Sequence, residues 1–339
     1  MKKVLVTGGL GYIGAHTVVE LEKAGFETVI ADDLSNSDAS VLNRLQTLLQ
    51  KELIFYQVDV ANVSSVQAIF EQHPIESIIH FAASKAVGES VAKPLLYYRN
   101  NLLSTINLLE NMTKYDIKNF IFSSSCTVYG EPDKLPVVEA TPIKSASSPY
   151  GNTKQICEEI ISDSAKANAN LQAISLRYFN PIGAHASGLI GELPLGIPNN
   201  LVPYLLKVVS GELEMLSVFG DDYDTPDGTC IRDYIHVVDL AKAHVVALKR
   251  LLAGKNHTNH EFFNIGTGRG FSVLELIRTF EQVNKQKVSY RIADRRDGDI
   301  KSIYANTTLA NDELGWKAEL GLEEMLRSAW HWQNSLNNS

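Results

Sequence analysis

The sequence has few cysteines, and those that it has stand far apart. Only three occur in 339 residues, at Cys126, Cys157 and Cys230. This spacing gives neither a disulfide framework nor a paired-cysteine metal or redox site. We therefore expect a cytoplasmic protein with reduced thiols. We also expect no metal site, because the one close pair of histidines, His257 and His260, stands in a polar stretch.

Long hydrophobic runs and long basic runs are missing as well. The first apolar run, Val4-Leu5-Val6, ends at once in Thr7-Gly8-Gly9, so we expect neither a transmembrane segment nor a signal peptide. The net charge is −8. A chain without a basic stretch lacks the usual means of holding nucleic acid or an anionic membrane, so we expect neither partner.

Short apolar runs alternate with amphipathic stretches through the first half of the chain. The runs predict strands at Lys3–Thr7, Glu27–Asp32, Leu53–Val58, Ser77–Phe81, Asn119–Ser123 and Leu171–Tyr178. Strands that are apolar throughout and separated by helices indicate a parallel sheet that is covered on both faces. We predict an α/β fold with a doubly wound parallel sheet of the Rossmann type.

The chain changes in character after Asn180. Segments rich in Gly, Pro and Asn follow, interrupted by a predicted helix at Leu201–Ser210. Long irregular segments inside a compact protein usually serve a function, and 339 residues favour two units over one. We predict a Rossmann domain over 1–180, to which segments near 232–265 return. A smaller, irregular α/β substrate domain is predicted over 181–339.

Two predicted helices, Tyr97–Tyr115 and Tyr150–Asn168, are long and amphipathic. Their apolar residues recur at three- and four-residue spacing, which predicts that both pack on the sheet. Two alternatives are open for the parts of these helix faces that do not contact the sheet. They are either buried within the monomer or paired across a homodimer, which is the assembly that we expect.

A glycine loop stands between the first predicted strand and the first helix. Gly8, Gly11 and Gly14 let the turn form and let backbone N–H groups approach a pyrophosphate at the helix N-terminus. An acid, Asp32 or its neighbour Asp33, ends the second strand. A carboxylate there accepts from ribose hydroxyls and repels a 2′-phosphate, and no basic residue follows nearby to bind that phosphate. NAD is therefore predicted over NADP.

A second glycine-rich stretch, "NIGTGRGFSVLE", begins at Asn264. Its glycine spacing differs from that of the first loop, and no acid follows at the required distance. Ser272 and Glu275 make a capping box, which predicts the start of a helix. We interpret the stretch as a structural turn rather than a second nucleotide site.

Tyr150 and Lys154 stand four residues apart at the start of a predicted helix, so they share one face. An unaided tyrosine has a pKa near 10, but a lysine ammonium and an oxidised nicotinamide ring both favour the phenolate. Such a tyrosine can take a proton from a substrate hydroxyl while hydride leaves the same carbon. The run "FIFSSSC" supplies hydroxyls at a strand end, where ligands bind in open α/β sheets.

Longer segments resemble the extended short-chain dehydrogenase/reductase family and, within it, the UDP-hexose 4-epimerases. The segments are "VTGGLGYIGAHT", "IIHFAASKAVGESVAKPLLYYRNN", "NFIFSSSCTVYG", "SPYGNTK", "LRYFNPIGAH", "GIPNNLVPY", "VFGDDYDTPDGTCIRDYIHVVDLA" and "RRDGD". They span nearly the whole chain. The resemblance implies reversible epimerisation at C4 of UDP-glucose and UDP-galactose, in which hydride passes to and from tightly bound NAD through a transient 4-keto sugar.

The resemblance also implies roles for single residues. Ser125 would orient the sugar hydroxyl, Tyr150 would be the base, and Lys154 would tune its pKa and bind the ribose. NAD would contact Gly8, Gly11, Tyr12, Ile13, Gly14, Asp32, Asp33, Asn36, Ser37, Asp59, Val60, Phe81, Ala82, Lys85, Asn100, Ser125, Tyr150, Lys154 and Phe179. The UDP-sugar would contact Ser125, Tyr150, Asn180, Asn200, Val218, Phe219, Arg232, Arg296 and Ile303.

Some of these assignments have alternatives. Asp59, at the end of the third strand, either accepts from the adenine amino group or caps its own loop. Arg232 and Arg296 suit a diphosphate, because the planar guanidinium binds two oxygens at once. Their neighbours Asp233 and Asp297 leave surface ion pairs open instead. Uracil would be stacked or hydrogen-bonded by the segment that contains Val218 and Phe219.

Other activities on the same scaffold have to be weighed. A sugar-nucleotide 4,6-dehydratase needs an acid directly after Thr127, and none is present. A uronic-acid epimerase or decarboxylase stays open. A dinucleotide-sensing protein without catalysis is disfavoured by the intact serine, tyrosine and lysine. Ile303 is intermediate in size at the position where a bulky side chain excludes N-acetyl sugars, which predicts a preference for UDP-glucose and UDP-galactose with weak N-acetylhexosamine activity.

Overall fold

The computed structural model describes residues 1–296 and 298–337, so Asp297 and its predicted ion pair lie outside the described residues. The strands are β1 (Lys3–Thr7), β2 (Glu27–Asp32), β3 (Ile54–Gln57), β4 (Ile75–His80), β5 (Asn119–Ser125), β6 (Gln172–Tyr178), β7 (Asn180–Ile182), β8 (Leu216–Phe219), β9 (Ile231–His236), β10 (His260–Ile265), β11 (Gly270–Ser272), β12 (Tyr290–Ala293) and β13 (Ser302–Ile303). The helices are α1 (Tyr12–Lys23), α2 (Ser40–Leu49), α3 (Val63–Gln72), α4 (Val87–Ala92), α5 (Pro94–Lys114), α6 (Pro149–Ala167), α7 (Leu201–Val209), α8 (Val237–Leu252), α9 (Val273–Asn284) and α10 (Leu322–Asn337).

Among the described residues, seven parallel strands form the main sheet in the order β10-β6-β5-β4-β1-β2-β3. The strand order reverses between β1 and β4. Ligands in open α/β sheets bind at the carboxyl ends of the strands near such a switch point. The six strands predicted in the first half are all present, and the prediction of a doubly wound parallel sheet is confirmed.

Alternate residues of each strand are buried on opposite faces of the sheet. Val4 and Val6 pack in a core that α1, α2 and α8 cover, whereas Leu5 packs in a second core beneath α3, α5 and α6. Both faces are therefore apolar, which explains why the strands are hydrophobic throughout. The carboxyl edge of the sheet is left for the loops that carry the predicted site.

A smaller region follows β6. Strands β11, β9 and β13 pair in one short sheet to which β7 adds beside β9, and β8 pairs with β12. Helices α7, α9 and α10 surround a core that includes Leu205, Phe280 and Met325. The chain returns to the main sheet between these elements, since α8 covers one face and β10 is the edge strand. The smaller α/β region fits the predicted fold class, while the domain boundary at 180 stays a prediction.

Buried histidines should make this fold sensitive to acid. Burial lowers the pKa of His16 and His80 from 6.5 to about 3. It lowers the pKa of His236 and His244 to about 4. The unfolded chain takes up these protons below pH 6.5 and the folded chain does so only near its lowered pKa values, so stability is lost as the pH falls from about 6.5 to 3. We expect the Tm at pH 5 to lie several degrees below that at pH 7, and equal values would contradict this.

Candidate active site

The glycine loop between β1 and α1 leaves no room for side chains. Gly8 has a φ of +68°, and a Cβ there would lie 2.7 Å from the backbone nitrogen of Ala82. A Cβ on Gly14 would lie 2.2 Å from the Gly8 carbonyl oxygen. Gly11 caps α1, and a Cβ there would meet that same oxygen at 3.1 Å and otherwise open space. The loop thus forms a cradle at a helix N-terminus, which fits a pyrophosphate.

Asp32 fastens the end of β2 to this cradle. Its Oδ2 accepts from the Leu10 N–H at 3.0 Å. Its Oδ1 accepts from the Leu34 N–H at 3.0 Å and from the Ser37 hydroxyl at 2.6 Å. Asp32 is buried, whereas Asp33 beside it is exposed. The two possible ribose acceptors therefore differ, since Asp32 also shapes the loop and Asp33 faces solvent.

The remaining predicted cofactor residues surround the cradle at the carboxyl edge of the sheet. The Tyr12 hydroxyl donates to the Gly183 carbonyl at 2.6 Å, and Asn100 Nδ2 donates to the Ser84 hydroxyl at 3.0 Å. Asp59 Oδ1 accepts from a backbone N–H two residues on, as in the loop-capping alternative. The exposed members of the set are Asp33, Asn36, Asp59 and Lys85; the half-buried ones are Gly8, Gly11, Tyr12, Ile13, Phe81, Ala82, Asn100 and Tyr150; the buried ones are Gly14, Asp32, Ser37, Val60, Ser125, Lys154 and Phe179.

Ser125 and Tyr150 meet where β5 ends and α6 begins. Ser148 caps α6 by accepting the backbone N–H of the third helical residue at 3.2 Å, and Pro149 follows in the first turn. This start places Tyr150 beside the strand end. Burial and then the neighbouring Tyr178 raise the pKa of Tyr150, while a hydrogen bond with Ser125 lowers it. The phenol is therefore protonated at neutral pH in this structure.

Lys154 lies one turn further along α6. Its Nζ donates to the Ser123 carbonyl at 2.7 Å and lies 4.7 Å from the centre of the Phe122 ring. Burial lowers the pKa of Lys154 to about 8, so the amine is still protonated at pH 7. Lys154 is not among the main groups that shift the pKa of Tyr150. Its role as pKa tuner stays a prediction.

A buried ion pair between β6 and α6 stabilises this strand end. The Arg177 guanidinium on β6 donates to both oxygens of Glu158 on α6, at 3.0 and 2.8 Å. Ser124, next to Ser125, donates to Glu158 at 2.6 Å. The pair joins α6 to β5 and β6, and so fixes Tyr150 relative to Ser125. Sequence reasoning missed it, because partners on separate elements share no local pattern.

Arg232 and Arg296 share one carboxylate, that of Asp299. Arg296 makes two contacts with it, Nε to Oδ2 at 3.2 Å and Nη2 to Oδ1 at 2.8 Å. The Nη2 of Arg232 lies 3.7 Å from Oδ1. The structure thus brings both predicted diphosphate ligands together. It also shows the ion-pair alternative, but with Asp299, which follows Arg296 by three residues and was missed.

Asp233 does not pair with the neighbouring arginine. Its buried carboxylate accepts from the N–H and hydroxyl of Thr267, at 2.9 and 2.6 Å, and from the N–H of Gly268 at 3.1 Å. These bonds hold the second glycine-rich stretch. Ser272 and Glu275 then form the predicted capping box at the start of α9. The predicted capping box and helix start are confirmed, while the absence of a second nucleotide site stays a prediction.

Val218 and Phe219 lie on opposite faces of β8. Val218 is buried in the core of the smaller region, so of the two predicted modes its backbone can offer hydrogen bonds to uracil but its side chain cannot stack on it. Phe219 is 40% exposed. Its ring lies 5.6 Å from the guanidinium of Arg296, beside the shared carboxylate. Phe219 therefore keeps its place as the stacking candidate.

The last predicted substrate residues occupy the loops and the short sheet above the main one. Ile303 on β13 is 3% exposed and packs with Phe179 and Val128. Asn180 and Asn200 are both exposed. An apolar wall and two exposed amides thus complement the cationic pair.

Within residues 1–296 and 298–337, no group of three or more His, Cys, Asp or Glu side chains is placed to hold a metal ion. His257 contacts Glu313, and His260 contacts Ser162 and Ser175. In the same part of the chain, no helix is both long enough and apolar enough to cross a membrane.

The fold and the site together define a class, the dinucleotide-binding short-chain dehydrogenases/reductases of the extended type. A family model described as GDP-mannose 4,6 dehydratase matches residues 5–329, and the chain belongs to that extended family. The UDP-glucose 4-epimerase of Bacillus subtilis (strain 168) is 53% identical over 332 residues, which cover 98% of this chain and 97% of the relative. Within the family, the chain groups with the UDP-glucose 4-epimerases.

Solved structures give the same grouping. UDP-glucose 4-epimerase from Bifidobacterium longum, in complex with NAD+ and UDP, superposes with a TM-score of 0.95 at 47% identity, over 99% of each chain. The enzyme from Stenotrophomonas maltophila, with bound NAD and formylated UDP-arabinopyranose, gives a TM-score of 0.96 at 46% identity, over 100% of this chain and 99% of that one.

Proposed function

We propose that this chain is a cytoplasmic, NAD-dependent isomerase that interconverts UDP-glucose and UDP-galactose by epimerisation at C4. The observation that carries the proposal is the meeting of Ser125 and Tyr150 between a glycine cradle and a pair of arginines. The cradle fits one diphosphate and the arginines fit another. The NAD+ and UDP in the related structure support both ligands.

NAD would be held by the cradle of Gly8, Gly11 and Gly14, with its adenosine ribose at Asp32 or Asp33. Bound there, it supplies the acceptor and donor of the C4 hydrogen, which is redox chemistry that the side chains of the site lack. The two carboxylates repel a 2′-phosphate, so we expect NAD rather than NADP.

The chain's own residues would move the proton and hold the sugar. Tyr150 takes the proton of the 4-hydroxyl as C4 is oxidised, and returns it when the 4-keto sugar is reduced on its other face. Ser125 orients that oxygen. Because burial raises the pKa of Tyr150, the first half of the reaction needs a nearby positive charge to favour the phenolate. The protonated phenol is already the acid that the second half needs.

The substrate would be gripped at its nucleotide end. Arg232 and Arg296 would bind the diphosphate, and Phe219 the uracil. The wall near the sugar, with Ile303 and Phe179, has no charge. The hexose is then held loosely enough to present either face of C4, while the binding energy comes from the UDP.

The decisive experiment is the conversion of UDP-galactose to UDP-glucose by purified protein without added NAD. We expect turnover, and denaturation should release close to one equivalent of NAD(H) per chain. An active protein that contains no NAD would overturn the proposal. The name of the family model makes a 4,6-dehydratase the second candidate, but Thr127 is followed by Val128, which is buried. A product that has lost water, detected by mass spectrometry, would favour the dehydratase.

The size of Ile303 should set the preference between hexoses and N-acetylhexosamines. Replacing it by cysteine shortens the apolar wall beside Phe179. We expect Ile303→Cys to raise kcat/KM for UDP-N-acetylgalactosamine, relative to UDP-galactose, by roughly tenfold. The same change at Ile292, which is exposed on β12, is the control and should leave the ratio unchanged. An unchanged ratio in the Ile303 variant would place the gate elsewhere.

We also propose a homodimer that forms through α4 and the first turn of α5. Val91, Leu95 and Leu96 are exposed there, and Leu95 keeps 79% of its surface in water. Burial within the monomer therefore does not account for this face. Sedimentation should give about twice the chain mass of 37.4 kDa. Leu95→Asp should shift the protein toward monomer, whereas Glu110→Gln, on the exposed surface of α5, should not.

A further inference from the structure

One carboxylate lies between the residues proposed for NAD and those proposed for the UDP-sugar. Glu192 stands in the irregular segment between β7 and α7, and its Oε1 accepts a hydrogen bond from Asn200 Nδ2 at 3.2 Å. Burial raises the pKa of Glu192, while the Lys85 ammonium lowers it. The charge of Glu192 in turn adds to burial in raising the pKa of the Tyr12 phenol. Glu192 is therefore in electrostatic reach of two cofactor residues and is bonded to a substrate residue.

The backbone that carries Glu192 is fixed. The Trp332 indole N–H on α10 donates to the Glu192 carbonyl at 3.0 Å. The Gly191 backbone packs closely against the same indole, since a Cβ on Gly191 would lie 2.4 Å from ring atoms of Trp332. Trp332 itself is buried in the core. The carboxyl group thus projects from a rigid support, which is what a side chain needs in order to orient another.

We propose that Glu192 is a positioning residue, which holds the Asn200 carboxamide in one orientation for the UDP-sugar. Because Glu192 Oε1 accepts from Asn200 Nδ2, the amide nitrogen faces the carboxyl group. The Asn200 Oδ1 and the second N–H are then turned away from Glu192 and are available to the ligand. The inference rests on the proposed function, because the role of Asn200 as a substrate residue is part of that function.

Loss of this bond has a defined cost. Without its acceptor, the exposed Asn200 amide rotates among several orientations, and ordering it again weakens substrate binding. The reacting atoms at Tyr150 and Ser125 are untouched. A defect in KM with an intact kcat is therefore expected, which a general loss of structure would not produce.

The test uses the NAD-loaded enzyme with variants Glu192→Ala, Glu192→Met, Glu192→Gln and Asn200→Ala. We expect Glu192→Ala to raise KM for UDP-galactose about fivefold, with kcat changed by less than about twofold. Glu192→Met keeps the length without an acceptor and should behave in the same way, which covers the case in which alanine destabilises the chain. Glu192→Gln should recover most of the affinity, because its amide oxygen accepts the same N–H.

A double-variant cycle separates positioning from bulk effects. Glu192→Ala combined with Asn200→Ala should bind UDP, measured by calorimetry, no more weakly than Asn200→Ala alone. The neighbouring Asn199→Ala is the matched control and should leave KM unchanged. Additive losses, or an unchanged KM in both Glu192→Ala and Glu192→Met, would overturn the inference. A wild-type protein that binds UDP without epimerising it would overturn the proposed function, while the UDP affinities would still decide the role of Glu192.

Discussion

Replacing Tyr150 by phenylalanine is expected to lower kcat for epimerisation by roughly 10²- to 10⁴-fold. The change removes one oxygen and keeps the ring, which lies in the first turn of α6 under the cap of Ser148. The lost hydroxyl is the group that would take and return the proton of the sugar 4-hydroxyl. Ser125 alone cannot replace it, because a serine hydroxyl gives up its proton far less readily than a phenol.

The same variant should keep its fold and its cofactor. The NAD cradle is built from the loop before α1, whereas Tyr150 lies in the first turn of α6. We expect Tm close to that of the wild type and an unchanged amount of NAD released on denaturation. Tyr115→Phe is the matched control, since its hydroxyl contacts Glu71 at 3.4 Å on an exposed surface. Epimerisation within tenfold of wild type would remove Tyr150 from the role of base.

The elements of the fold that follow a local hydrophobic or capping pattern could be predicted from the sequence. Apolar runs define the strands of the main sheet, because both faces are buried and every side chain must be hydrophobic. The cap at Ser148 could be predicted as well, since it depends on a local hydrogen bond. Both the strands and the cap depend on residues that are close together in the sequence.

Two details of the irregular region follow from the alternation of side chains along its short strands. Neighbouring strand residues point to opposite faces, so Asp233 cannot pair with Arg232 on β9, and Val218 is buried where Phe219 is exposed on β8. Recognising β8 and β9 in the irregular region would have given both answers. β9 contains Arg232, Asp233 and His236, so it lacks the continuous apolar run by which the strands of the main sheet are predicted.

Glu192 and Asp299 could not have been found in this way. Both stand in segments without regular structure. Although Asp299 follows Arg296 by only three residues, no helical or strand periodicity there indicates which side chains face one another. A carboxylate in such a segment looks like any solvated surface acid. The charges around the proposed site therefore depend on irregular backbone, whereas the candidates Ser125 and Tyr150 stand at a strand end and a helix start that local pattern predicts.

A methyl group on Gly14 should remove the cofactor. A Cβ at this position lies 2.2 Å from the Gly8 carbonyl oxygen and 2.8 Å from the Gly9 Cα, and neither is a flexible side chain. The start of α1 must move away from β1 to relieve the contact. That motion opens the cradle and withdraws the helix N-terminus from the pyrophosphate.

We expect Gly14→Ala to lose most of its NAD during purification and to be less stable by about 1–3 kcal/mol. Absorbance of the denatured protein measures the first effect, and urea unfolding measures the second. Gly321→Ala, directly before α10, is the matched control, because a Cβ there meets nothing within 4 Å and the position is outside the proposed dimer surface of α4 and α5. It should keep its full complement of NAD and change the stability by less than about 1 kcal/mol. A Gly14→Ala protein with a full complement of NAD would show that the loop holds the cofactor without close contact between helix and strand.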